Sequence, residues 1–90
     1  MEEIDTPIRM KINGIEIIND LAKKYFLDLP REIVRLGYDA EADVLYAHFA
    51  NNAMAVDSEI VEANENIILG LNDKDETVRI TVLNTSKYIM

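Results

Sequence analysis

The feature that most constrains this chain is a change of hydrophobic period at Pro30. Before it, Ile17, Ile18, Leu21, Ala22, Tyr25 and Leu29 recur at helical spacing, with Asn19, Asp20, Lys23, Lys24 and Asp28 on the opposite side. After it, apolar residues come in short runs that read as strands, separated by polar turn signals. The spacing predicts a helix over roughly 15–28, stopped by Pro30 and preceded by a short extended segment. The stretch from Ile8 to Ile17 admits a second reading. Asn13-Gly14 lies between alternating runs as in a hairpin, which would set Lys11 opposite Glu16. Yet Asn13 is also a good N-cap, Glu16 stands at the third helical position of a capping box, and Ile12 with Ile17 can staple the first turn. The periodicity that follows favours the helix.

The strand-like runs are Glu32 to Tyr38, Val44 to Phe49, a weaker one over Ala55 to Val61, Ile67 to Leu71, and Thr77 to Leu83. Asp39–Asp43, Asn51-Asn52, Asn64–Asn66 and Asn72–Glu76 are the turn signals between them. Connections of about five residues suit antiparallel pairs, because a parallel pair needs a crossover of about a dozen residues or more. The expectation is a single α+β domain over 1–90 in two layers. An antiparallel β-meander of about five strands, within 31–88, would pack on one helix from the N-terminal segment 1–30. Along the second run, Leu45, Ala47 and Phe49 share one face while Val44, Tyr46 and His48 share the other. Runs 44–49 and 67–71 are apolar on both faces, and one helix covers only one side of a sheet. A second copy of the chain is the simplest cover for the other side, so a homodimer is expected.

Charge narrows the partners. The 90 residues hold 17 Asp and Glu against 9 Lys and Arg, a net charge of −8, and Lys23-Lys24 is the only adjacent basic pair. Direct nucleic-acid binding normally needs a basic face, and an anionic membrane repels an acidic chain, so neither partner is expected. A basic protein partner is the natural counterpart of this charge. With no cysteine, thiol catalysis and Cys-based zinc sites are excluded. The acidic start, Met1-Glu2-Glu3-Ile4-Asp5, does not resemble a signal peptide, and no window is long and apolar enough for a membrane helix. A cytoplasmic location is the expectation.

Leu36-Gly37-Tyr38-Asp39-Ala40-Glu41-Ala42-Asp43-Val44-Leu45-Tyr46 resembles the "YDxEADxLY" opening of a prokaryotic family of short proteins, domain of unknown function 2283. Ala55-Val56-Asp57-Ser58-Glu59, Ile67 to Glu76, and Leu83-Asn84-Thr85-Ser86-Lys87 resemble that family's later segments, so the likeness spans about 36–88. His48 stands where the family often has a basic residue such as Arg, and Asp75-Glu76-Thr77 lacks the glycine often found in that turn. The resemblance implies an antiparallel meander packed on a helix and brings no catalytic residues with it. It also suggests an antitoxin-like role, since members are often encoded beside small toxins of the RelE type.

Several clusters invite a chemical reading. Asp39, Glu41 and Asp43 alternate through a turn and could attract a hard cation, or they could serve as turn residues that bond their own backbone. His48, the only histidine, could act as a general base, but neither Ser58 nor Ser86 sits in a nucleophile motif. Asp73-Lys74-Asp75-Glu76 opens like a calcium-binding loop, then fails where Val78 replaces the required glycine and Asn84 the closing glutamate. Asp57, Glu59, Glu62 and Glu65 spread negative charge along and beyond the third strand-like run, where charge would protect an edge or supply docking contacts for a basic partner. Asn84 to Lys87 would fix the exit of the last strand, leaving Tyr88, Ile89 and Met90 as an apolar tail.

The reading that joins these is a protein–protein interaction module without a cofactor, in its sharper form a neutralising partner of a small basic protein. Asp57, Glu59 and Glu62 would then supply contact charge, and the uncovered sheet face burial. The alternatives are a metal-dependent enzyme using Asp39, Glu41, Asp43 and His48, and a small-ligand module with a site at a dimer interface.

Overall fold

The computed structural model describes residues 13–49 and 54–88. Helix α1 spans Gly14–Tyr25, and the strands are β1 Ile33–Asp39, β2 Val44–Phe49, β3 Asp57–Ile60, β4 Ile67–Leu71 and β5 Thr77–Leu83, followed by a 3₁₀ turn at Thr85–Tyr88. The helical reading of the Asn13-Gly14 segment holds. Asn13 is extended, and its side chain accepts the Glu16 N–H at 3.1 Å. The proposed Ile12–Ile17 staple, the Lys11–Glu16 pairing, the extended segment before Asn13, the Asn51-Asn52 break and the Ile89–Met90 tail lie outside the described residues.

The helix ends earlier than the expected 28, and Pro30 is not what ends it. Phe26 adopts a left-handed conformation at φ 56°, and the Leu27 N–H reaches back to the Ala22 carbonyl at 2.9 Å, satisfying an end-of-helix carbonyl. The chain then runs on without helix, and Leu27 and Leu29 still pack against the core. Leu29 thus continued the apolar periodicity after the helix itself had stopped. Phe26 is 92% exposed and gains almost no burial in its strained backbone. Phe26→Gly should therefore raise stability by about 0.5–1 kcal/mol, the relief of a left-handed residue less glycine's entropy cost. A thermal melt no higher than that of the wild type would refute this account of the cap.

All strand pairs are antiparallel, as expected, but their order is β1-β2-β5-β4-β3. A β1–β2 hairpin and a β3–β4–β5 meander are joined through β2 and β5, so the pairing that unites the sheet is long-range in sequence. The third run, expected over 55–61, pairs as a strand only over Asp57–Ile60. The register sets Leu45 beside Val82 and Ala47 beside Ile80, with Ile67 and Leu69 next along the same two rows. These side chains, with Phe49, meet Ile17, Ile18 and Leu21 of α1 in one core. Gly14 allows the helix to sit this close. A Cβ there would lie 3.0 Å from Leu45 Cδ1 and 3.1 Å from Leu36 Cδ2. The β4–β5 turn is held by Asn72, whose Oδ1 accepts the Lys74 and Glu76 N–H groups, while Asp75 takes the left-handed position at φ 62° that a glycine would fill without strain. This is a hairpin turn organised by side chain to backbone bonds.

Candidate functional site

The segments that carry the family resemblance converge on one carboxylate, Asp43. It closes the β1–β2 turn at φ 58°, a conformation Asp tolerates better than most residues. Its Oδ1 accepts the Tyr38 hydroxyl at 2.7 Å and the Ser86 backbone N–H at 3.0 Å, and its Oδ2 accepts the Ser86 hydroxyl at 2.6 Å. Its carbonyl also accepts the Thr85 N–H at 3.0 Å. The hydrogen bonds from Ser86 hold the Asp43 carboxyl below the ordinary carboxylate range, helped by Tyr38. Conversely, bonding to Asp43, reinforced by desolvation, raises the Tyr38 phenol. The arrangement is a clasp between the first hairpin and the chain's exit from β5. A carboxylate stabilised in its ionised form is a weak base, so it does not activate Ser86. His48 lies four residues along β2 from Val44, about 13 Å away at strand rise, so the strand geometry keeps the imidazole apart from this serine.

The other acidic turn residues are placed by the same local chemistry. Asp39 Oδ1 accepts the Glu41 and Ala42 N–H groups at 3.1 and 3.2 Å, as a turn-forming aspartate does. Asp39, Glu41 and Asp43 are thus neighbours in the turn, with Asp39 and Asp43 occupied by different hydrogen bonds. Among the described residues, no three His, Cys, Asp or Glu side chains are grouped so as to hold a metal ion.

A second polar network ties down the exit. Asn64 Nδ2 donates to the hydroxyls of Tyr25 and Tyr88 at 3.2 and 2.8 Å, and Asn84 Nδ2 donates to Asn66 Oδ1 at 3.0 Å. Tyr88 is therefore folded back onto the core side. Asn84 and Ser86 fix the strand exit as the sequence suggested.

Asp57, Glu59 and Glu62 all lie exposed on or just beyond β3, the terminal strand of the sheet. The register places Glu59 beside Leu69 and Asp57 beside Leu71. Asp57 Oδ1 accepts the Ser58 N–H at 2.8 Å, so that donor is already used locally. Met54 and Val56, just before the strand, are 82% and 67% exposed. The acids thus border exposed apolar surface.

The face of the sheet away from α1 carries residues whose proximity could not be read along the chain. Arg35 pairs with His48, and His48 with Arg79, placing three basic side chains in one row across β1, β2 and β5. The next row reads Gly37, Tyr46, Thr81, Ile68 and Ile60, and the last Asp39, Val44 and Leu83. Arg35, His48 and Arg79 are far apart along the chain, so the sequence concealed a basic row in space. Each of the three occupies the solvent-facing phase of its strand, which alternation reveals, but the β2–β5 pairing that aligns them is long-range. Tyr46 lies over Gly37, where a Cβ would come within 2.5 Å of Tyr46 Cζ, and its ring meets His48 edge-on at 6.4 Å. Arg79 lies over Gly70 in the same way, its Nε 3.1 Å from the position a Cβ would take.

No helix among the described residues is long and apolar enough to cross a membrane. The family model described as Protein of unknown function (DUF2283) matches residues 35–86, more than half of the chain and the span that includes the Tyr38–Asp43–Ser86 clasp. Comparison with curated proteins and with solved structures returned no match.

Proposed function

The chain belongs to the DUF2283 family, proteins of unknown function, and we propose that it works as a protein–protein interaction module that docks a small basic protein along β3. One observation supports this reading above the others. The acids Asp57, Glu59 and Glu62 stand exposed on or just beyond a terminal strand next to exposed apolar side chains, whereas both carboxyl oxygens of Asp43 are taken up by the clasp. Acid beside apolar surface offers both steering and burial to a basic partner. Because Asp57 already takes the Ser58 N–H, contact through charge and side chains is favoured over simple strand addition. An antitoxin-like neutralising role is the finer form of this proposal, and an acidic surface is what a basic toxin would require.

The test is affinity capture from the native host at low salt, with the wild type and the Asp57→Lys, Glu59→Lys, Glu62→Lys triple variant side by side. The expected result is a small basic protein retained by the wild type, released as salt rises, and lost by the variant. Identical capture by both proteins, or capture that does not respond to salt, would refute the assignment.

A further inference from the structure

We propose that the sheet face opposite α1 is covered by a second copy of this chain in a two-fold β-sandwich that sets Arg35 of each copy against Asp39 of the other. The face is broad and partly apolar. Val44, Ile68 and Leu83 are half-buried there, and Tyr46 and Ile60 are 36% and 60% exposed. Five strands about 4.8 Å apart, over about five residues at 3.3 Å, give on the order of 400 Å² in projection. Two such faces with their side-chain relief approach roughly 1,000 Å², the lower bound for a specific interface, and one alone lies within the range of the largest patches monomers leave open.

Charge selects the occupant and its orientation. Two sheets stacked face to face about a two-fold axis have two simple alignments. An axis along the strands lays the basic row on itself, bringing Arg79 against Arg79, which like-charge repulsion opposes. An axis across the strands, along the Gly37–Tyr46–Thr81–Ile68–Ile60 row, inverts each strand and lays the basic row over the Asp39–Val44–Leu83 row. Gly37 then marks the centre of β1. Arg35, two residues before it, meets Asp39, two residues after it, twice by symmetry. His48 and Arg79 meet Val44 and Leu83, along which an arginine stem can pack. The central row supplies Tyr46, Ile68 and Ile60 to the contact. The outer edge of β3 stays free in both copies, so this pairing is compatible with docking along that edge but does not depend on it.

Sedimentation of the full-length protein tests the proposal. The wild type should sediment as a dimer at tens of micromolar, and Arg35→Asp and Asp39→Lys should each weaken dimerisation at least about tenfold. Mixed together, the two variants should recover a heterodimer, because one of the two symmetry-related contacts then pairs the exchanged charges and the other keeps the native Arg35 against Asp39. Circular dichroism confirms that each variant is folded. Asp39→Asn, which retains the turn bonds to Glu41 and Ala42, should also weaken the dimer, separating charge from turn formation. A monomeric wild type, folded single variants that dimerise like the wild type, or a mixture of folded variants that fails to recover would each overturn the proposal.

Discussion

Replacing Asp43 with alanine should cost about 2–3 kcal/mol of folding stability, summing lost charged hydrogen bonds discounted for partial exposure. That is a large share of what holds a domain this small together, and it should lower the melting temperature by roughly 10–20 °C. The substitution deprives the Tyr38 hydroxyl and the Ser86 hydroxyl and N–H of their acceptor, and places a less tolerant residue at φ 58°. Asp43→Asn should cost less, because an amide oxygen can still accept and asparagine tolerates the backbone. Ser86→Ala should cost about 1 kcal/mol in the wild type and almost nothing once Asp43 is alanine, since the two report one interaction.

The pH dependence follows from the direction of the shifts. Asp43 titrates lower in the folded chain than in the unfolded one, so its contribution is complete above the ordinary carboxylate range. It is lost as pH falls from about 4 through the folded value. Tyr38 is raised, so its contribution holds below about pH 10 and fades as pH climbs through its folded value. The stability gap between the wild type and Asp43→Asn should therefore narrow in acid. Denaturant titrations across pH check each point. Wild-type stability in Asp43→Ala would show that the clasp holds nothing.

Ile80→Ala should destabilise the chain by about 3–4 kcal/mol, a melting shift of roughly 15–25 °C. Ile80 is fully buried on β5, the middle strand, beside Ala47 of β2 and Leu69 of β4. Ladders of hydrogen bonds on both sides fix those neighbours, so the space left by three carbons cannot close by local collapse. Ile80→Val, which removes one methyl group, should cost about 1 kcal/mol. Val34→Ala, at an exposed position in the β1 irregularity, should stay within about 0.5 kcal/mol. Urea midpoints at constant slope measure all three, and equal shifts at Ile80 and Val34 would contradict the core assignment.

The N-cap, the strands and their faces were visible in the sequence because each is a local matter. Asn13 caps through a residue three positions on, and the alternation of Thr77 to Leu83 is a property of one strand. The Asp39 turn, too, bonds within three residues. Periodicity failed at the helix end, because Leu27 and Leu29 satisfy the same core from a non-helical segment.

What tertiary structure alone decided was adjacency. The β2–β5 pairing brings Val44 beside Leu83 and His48 beside Arg79, and it carries Ser86 to Asp43, forty-three positions away. No local propensity encodes such a pairing, since both strands satisfy the same alternation against any antiparallel neighbour. It is set by the burial of one shared face under α1. The clasp and the basic row both follow from it, while the exposed acids of β3 were already plain in the order of the residues.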